Sequence, residues 1–243
     1  MIAVVYRGDL ADIAKRLRSL LGALELDCSA DRPDLTVVVG GDGTLLEAIH
    51  KHPCVLDSLV VHIGGGRINF YRTTRIGEMA LEEIARRVLA RDMNVVELPT
   101  IDAGGCTAVN EVVIRNVDYR KLLSFRITGA APIISGRADG VIVSTPQGSP
   151  GYAVSAWGPV VDYRLEAFVI SFIVPYTLYL RPLVVPQEPL EISTAQEAEL
   201  TCDGYGGLRG RSFSIRRGAR RLRLAVFGEY DYYDRVLSRL LSP

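Results

Sequence analysis

Apolar residues follow two kinds of pattern along the chain, and the change comes near residue 95. Ile2-Ala3-Val4-Val5-Tyr6 is a continuous, β-branched run closed by Arg7-Gly8-Asp9, which predicts a buried strand and a turn. Asp9 can cap a helix over 10–21, where Leu10, Ile13, Ala14, Leu17, Leu20 and Leu21 share one face. Thr36-Val37-Val38-Val39 predicts a second buried strand, 45–50 the start of a second helix, and 59–63 a third strand closed by Gly64-Gly65-Gly66. Residues 78–91 return to helical spacing, with Met79, Leu81, Ile84, Val88 and Leu89 apolar. Strands alternating with helices imply an α/β N-terminal domain over 1–95, a parallel sheet with helices on its faces.

Beyond that point short β-type runs follow one another: 95–98, 107–114, 124–129, 140–144, 168–174, 191–193, 198–202, 213–215 and 222–227. Gly, Pro and Asp turns separate them, which predicts a β-rich, β-sandwich-like second domain over 96–228. The segment 229–243 reads as helix again and is expected to return to the first domain.

Charge and composition narrow the functional classes. The 28 basic and 28 acidic residues cancel, so the overall balance calls for neither nucleic acid nor an anionic membrane. The basic set Arg216, Arg217, Arg220, Arg221 and Arg223 alternates with apolar positions, as on the solvated face of a strand. At 48% hydrophobic the chain can bury a sizeable core. The most apolar stretch, 167–180, is interrupted by Pro175 and falls short of the roughly 20 residues a membrane helix needs. The start carries no basic leader or small-residue cleavage site. Cys28, Cys54, Cys106 and Cys202 form no C-x-x-C pair, which excludes the common zinc modules and offers no disulfide framework. A soluble protein of the reducing cytoplasm is the expectation. His50 and His52 flank Lys51 at a helix end and His62 sits in a buried strand, so the three histidines do not form a metal site.

Chemistry enters at Gly40-Gly41-Asp42-Gly43-Thr44, between a strand and a helix start. Glycines allow a tight turn and close backbone approach, and free N–H groups with the helix dipole favour phosphate oxygens. No Gly-Lys-Ser/Thr follows, so this is not a Walker loop, and Leu46 stands where a dinucleotide fingerprint needs its third glycine. A carboxylate between two glycines repels phosphate. It suits a site in which Asp42 takes a proton from an attacking hydroxyl or holds a metal. As a purely structural element, Asp42 would be a helix cap.

The Gly-Gly-Asp-Gly-Thr sequence resembles a superfamily containing NAD kinases, diacylglycerol and sphingosine kinases, and 6-phosphofructokinases. Later blocks resemble NAD kinases in particular. Asn110-Glu111 matches their Asn-Glu pair, and 137–152 is similar to their Ala-Asp-Gly-x-x-x-Ser-Thr-Pro-Thr-Gly-Ser-Thr-Ala-Tyr segment. Ser155-Ala156-Trp157-Gly158-Pro159, Pro175-Tyr176-Thr177-Leu178, Arg181-Pro182 and Cys202-Asp203-Gly204 follow in the family's order. The departures are Asn69 and Trp157 for glycines, Gln147 for Thr or Ser, Pro150 for Thr, Gly151 for Ala and Tyr205 for Gln.

The resemblance implies phosphoryl transfer from ATP, another nucleoside triphosphate or polyphosphate, with Mg²⁺ or another divalent cation, to the adenosine-ribose 2′-hydroxyl of NAD. Asp42 would be the proton acceptor and Gly43 would lie against the nucleotide. Asn110 and Glu111 would hold NAD, with further contacts from Lys121, Arg137, Asp139, Pro150, Gly151, Tyr152, Ala153, Val154, Ser155 and Val174. Phe70 and Tyr71 match an aromatic pair beside the family's nucleotide pocket, though core packing explains them equally well. Gln147 is the nearest candidate to replace the hydroxyl that Pro150 lacks. A homodimer or homotetramer is also implied. Three other readings remain at this point: a lipid kinase sharing Asp42, a 6-phosphofructokinase suggested by Thr100-Ile101-Asp102, and a pyridine-nucleotide sensor without catalysis.

Overall fold

The computed structural model describes residues 1–28 and 32–241. In chain order the strands and helices of the first region are β1 (Ile2–Tyr6), α1 (Ala11–Leu21), β2 (Leu24–Glu25), β3 (Leu35–Gly40), α2 (Asp42–Lys51), β4 (Leu59–Gly64), β5 (Thr74–Arg75), α3 (Leu81–Leu89) and β6 (Asn94–Leu98). The second region holds β7 (Ile101–Ala103), β8 (Cys106–Ala108), β9 (Glu111–Asn116), β10 (Leu123–Thr128), β11 (Pro132–Ala138), β12 (Gly140–Ser144), α4 (Tyr152–Ser155), β13 (Ala167–Ile173), β14 (Leu183–Pro186), β15 (Leu190–Cys202) and β16 (Tyr205–Arg217). Then come β17 (Leu222–Val226) and α5 (Tyr232–Leu240). Positions 242–243 of the expected terminal helix lie outside the described residues.

The chain divides into two compact units, one of Met1–Leu98 together with the chain from Arg220, the other Pro99–Ala219. The first unit carries a sheet in the order β2-β1-β3-β4-β17-β6, with β5 beside β4. Every pairing is parallel except β6 with β17. Strands β3 and β4 are buried at every position, as their Val-rich, mostly apolar runs suit a sheet covered on both faces. Leu17, Leu21, Ile84 and Val88, the apolar stripes of α1 and α3, pack against Val37, Val39 and Val61. The strand at 222–226, which composition alone groups with the β-rich region, instead pairs with β4 and β6 in this sheet.

The second unit is antiparallel throughout, in the order β14-β13-β12-β9-β15-β16-β7-β8, with β10 and β11 attached through β15. Runs 191–193 and 198–202 are one long strand with a register shift between Ser193 and Ala198. On one side of that irregularity β15 pairs with β10, on the other with β9. Bulges bend strands, and Phe125 of β10 stacks on Phe172 of β13 with centroids 5.4 Å apart. Both belong to one core of buried residues.

The cysteine expectation is corrected here. Cys28 is bonded to Cys54 and Cys106 to Cys202, with Cα separations of 5.8 and 6.2 Å. The paired residues are 26 and 96 positions apart, so only the folded chain brings them together and no local spacing announces them. The cysteines therefore give no support to a reducing compartment. Among the described residues, no helix is long and apolar enough to cross a membrane.

Candidate active site

Strands β1, β3 and β4 run parallel, and the chain goes from β1 outward to β2 before returning to β3 on the other side. In open α/β sheets ligands bind at the carboxyl ends of strands, at such a reversal. The glycine loop leaves β3 there. Gly65 N–H donates to the Gly40 carbonyl at 2.8 Å, so the loops after β3 and β4 lie side by side.

Asp42 is the first residue of α2, half-buried, following an extended Gly41. It does not cap its own helix. One carboxylate oxygen accepts the Phe70 N–H at 2.8 Å and the other accepts the Tyr71 N–H at 3.0 Å. The carboxylate is thereby fixed in orientation, and each oxygen keeps further lone-pair capacity. Gly43 is exposed and nothing lies within 4 Å of a Cβ built on it, so packing does not demand glycine. Open space beside Asp42 is what close approach of a ligand requires.

The side chains of Phe70 and Tyr71 are buried, edge to face with centroids 5.3 Å apart, and Tyr232 of α5 meets Phe70 at 5.9 Å. Core packing accounts for the rings, while their backbone amides serve Asp42. Asn69 resolves one departure: it adopts φ +53°, a left-handed conformation that asparagine tolerates better than most residues. Its amide oxygen also accepts the Gly66 N–H at 2.8 Å. Buried His62 sets Nε2 2.9 Å from the Gly40 carbonyl. Burial pushes its imidazole pKa down, only partly opposed by the Asp42 charge.

In the second unit, Glu111 opens β9 with Asn110 just before it, and both are half-buried. The Asp203 carboxylate accepts the backbone N–H groups of Val109, Asn110 and Glu111 at 2.8, 2.7 and 3.1 Å. Asp203 N–H in turn donates to the Glu111 carbonyl at 2.9 Å. Asp203 (φ +51°) and Gly204 (φ +83°) form the two-residue turn joining β15 to β16, the geometry that favours Asp-Gly in hairpins. Sequence reasoning noticed this Asp-Gly pair without giving it a role. Its signal was the turn dipeptide between alternating strands.

A cavity of about 380 Å³ over β9 and β15 brings together Glu111, Arg115, Tyr152, Glu199, Thr201 and Asp203. Arg115 donates to the Tyr152 hydroxyl and lies 5.4 Å from its ring centroid. The period-two face Glu111, Val113, Arg115 could have revealed Arg115 in the sequence. A second cavity, about 260 Å³, joins Lys121 and Asp139 and shares Arg115 and Tyr119 with the first. Arg137 is exposed and stacks on Tyr176 at 4.1 Å. Exposed Val174 lines a third, apolar cavity with Trp157 and Leu178.

Of the run 150–155, Pro150 and Ala153 are buried, Ala153 among Val113, Ile142 and Ala156, whereas Gly151, Tyr152, Val154 and Ser155 retain exposure. Gln147 is not a ligand donor. It is 1% exposed, and its amide donates to the Pro99 and Val109 carbonyls at 2.6 and 2.9 Å. Thr145 and Ser149 likewise turn their hydroxyls onto the backbone of Val109 and Pro146. A Cβ on Gly148 would fall 2.6 Å from Asn110 Cα, so this buried turn is packed directly against the Asn-Glu pair. Asp102, the residue behind the phosphofructokinase reading, accepts from Thr107 and from Ala219 N–H at 2.9 and 3.2 Å and is structural.

The chain is 30% identical to an NAD kinase of Thermosipho melanesiensis, over 85% of this chain and 80% of that protein. An NAD kinase of Corynebacterium glutamicum is 32% identical over 88% and 79%. This chain belongs to the NAD kinase family. The ATP-NAD kinase C-terminal domain family matches residues 109–220, which include the Asn-Glu pair and the Asp203 turn. The crystal structure of an Archaeoglobus fulgidus NAD kinase in complex with ATP superposes with a TM-score of 0.81 at 25% identity, covering 98% of both chains. Yeast NADH kinase complexed with NADH shares the fold, with a TM-score of 0.82 at 17% identity, over 99% of this chain and 86% of that one. As a member of the NAD kinase family the chain is a phosphotransferase, and the lipid and sugar kinase readings fall away.

Proposed function

We propose that this NAD kinase moves a phosphoryl group from ATP to the adenosine-ribose 2′-hydroxyl of NAD, with Asp42 as the proton acceptor. The observation that carries the assignment is the Asp42 carboxylate, held on both oxygens by backbone amides and flanked by the open space at Gly43. The ribose O–H bond breaks toward Asp42 as its oxygen bonds to the terminal phosphorus, and ADP leaves with the electrons of the broken P–O bond. Asn110, Glu111 and Tyr152 hold the dinucleotide. The fixed Asp203 carboxylate supports the first two from below. Lys121, Arg137 and Asp139 add charged contacts.

Among the described residues, no three His, Cys, Asp or Glu side chains gather to cage a metal ion. The divalent cation is assigned to the phosphates of the donor on the general ground that Mg²⁺ is ordinarily carried there. Cytoplasmic residence fits a protein whose substrates are NAD and ATP. A homo-oligomer is supported by exposed Trp157, Val174 and Leu178, which line the apolar cavity of about 370 Å³, and by exposed Tyr176 and Tyr179 in the same stretch of chain.

The deciding experiment is Asp42→Asn in an assay of NADP formation from NAD, ATP and Mg²⁺. Turnover should fall roughly 10²- to 10⁴-fold, the span for loss of a general base, with NAD affinity little changed. Undiminished turnover would return Asp42 to a structural role. Tight NAD binding by the wild-type chain without any phosphorylation would favour the sensor.

A further inference from the structure

Behind Asp42 lies a buried arginine that the reaction described above does not use. Arg235 of α5 is 4% exposed. Its Nη1 donates to the carbonyls of Phe70 and Arg72, both at 2.8 Å, its Nε donates to Asp231 at 2.5 Å, and its guanidinium lies 4.5 Å from the Tyr230 ring centroid. The Phe70 carbonyl and the Tyr71 N–H belong to one peptide group. That N–H is the donor to Asp42 at 3.0 Å. A single peptide plane therefore separates a buried cation from the carboxylate that takes the proton.

Arg72 also reaches Asp231, at 3.4 Å, so two guanidiniums share one carboxylate. Burial and the like charge of Arg235 both push the Arg72 pKa down. Placing a guanidinium here carries a desolvation cost that an apolar side chain docking the same helix would not incur. A cation hydrogen-bonded to a carbonyl polarises the peptide and strengthens its N–H as a donor, because hydrogen bonds in series reinforce one another in a low dielectric. Arginine alone offers a permanent charge with a planar fork able to hold two carbonyls and a carboxylate at once.

We propose that Arg235 is a positioning residue for the reaction, acting through the Phe70–Tyr71 peptide to orient the Asp42 carboxylate. The proposal rests on Asp42 being the base and adds a distant residue, in a helix that carries no recognised motif, to the apparatus that aims it. Arg235 is then the point at which helix α5 bears on the Asp42 carboxylate.

The test compares Arg235→Met, Arg235→Lys and Val236→Ala in the full chain, with thermal melting and steady-state kinetics on each. Val236 is buried on the same helix, and its side chain has no group that could hydrogen-bond either carbonyl. Arg235→Met should lower kcat on the order of 10- to 100-fold, the scale of a small misplacement of reacting groups. KM for NAD and for ATP should stay within about threefold, the signature of an effect confined to the transition state. Arg235→Lys keeps the charge and one carbonyl bond and should recover part of the loss, and it keeps the question open to measurement if the Met variant does not fold. Val236→Ala should lower Tm while kcat holds. A fall in kcat for Val236→Ala matching its loss of Tm, or a kcat unchanged in the folded Lys and Met variants, would overturn the proposal. Asp42→Asn separates this from the reading beneath it. If Asp42→Asn is inactive, Arg235→Met should add little on top of it; if Asp42→Asn keeps full turnover, the base reading fails and the Arg235 proposal fails with it.

Discussion

His62 lies wholly buried in β4 with Nε2 2.9 Å from the Gly40 carbonyl, so Nε2 carries the proton and donates to the last residue before the glycine loop. Burial lowers its pKa below the unfolded value of about 6.5. For a base the sign follows directly: between the depressed folded pKa and about 6.5 the unfolded chain binds more protons, so stability rises with pH in that window and is lost as pH falls through it. Denaturant unfolding from pH 7.5 downward should show this loss, at most about 1.4 kcal/mol per pH unit for one proton. His62→Gln should flatten the profile below pH 6.5 relative to wild type, and an unchanged slope would assign the acid sensitivity to other groups. One departure from the family pattern also becomes explicable at this scale. Asn69 stands for glycine because its φ is +53° and its side chain secures the turn. Trp157 stands for glycine at φ +62°, where a bulky residue costs roughly 1–2 kcal/mol, and it is 87% exposed. Its N–H closes the turn onto the Val154 carbonyl at 3.1 Å, but that bond does not explain why Trp stands here.

The hairpin between β15 and β16 shows how an element serves the site without lining up in sequence. Its Asp203 gathers three amide donors from the start of β9, 92 to 94 positions earlier. The Cys106–Cys202 bond ties the residue before it to β8, within the same unit. Asp203→Ala would leave amides without an acceptor, each costing about 1–3 kcal/mol where buried, and should displace Asn110 and Glu111. The expected result is a raised KM for NAD with a lower Tm, and Asp203→Asn should recover part of both. Reducing the disulfide in wild type should push NAD affinity in the same direction. NAD titrations by calorimetry on oxidised, reduced and Asp203→Ala protein would show it, and an unchanged affinity in all three would make the turn purely structural. Strand and helix types of β1, β3, β4 and α1–α3 were legible because their apolar periods are long and regular. The edge strands β11 and β14 were not, since Ile133, Ile134 and Val185 are only partly buried and their pattern is broken by Gly and Pro.

For the whole molecule, the exposed apolar residues around Trp157 carry the prediction. Light scattering should give a mass that is a multiple of the 26.6 kDa chain. Trp157→Gly should relieve backbone strain yet weaken that assembly, so Tm measured at low protein concentration should rise or hold while the assembled fraction falls. A monomer at micromolar concentration would remove the oligomer from the functional reading. The disulfides belong to this scale as well. In the chain-entropy account a closed loop of about 100 residues is worth roughly 4.7 kcal/mol, and the Cys106–Cys202 pair spans 96 positions.

The sequence by itself determined what depends on neighbours along the chain: the 3.6 and 2 periods, the strand–glycine–helix context of Asp42, the Asn110-Glu111 pair, and the ordered blocks that resemble the NAD kinase family. Only the tertiary structure decided what depends on distance in space. It turned Gln147, Thr145 and Ser149 inward onto backbone. It closed two disulfides that spacing did not foretell. It set Asp203 beneath the Asn-Glu pair and Arg235 behind Asp42, across 92 and 193 positions of chain. The physical reason is common to all of these. A hydroxyl, amide, thiol or guanidinium carries no mark of its partner, because hydrogen bonds and disulfides are chosen by reach and desolvation after the apolar periods have already brought the chain together.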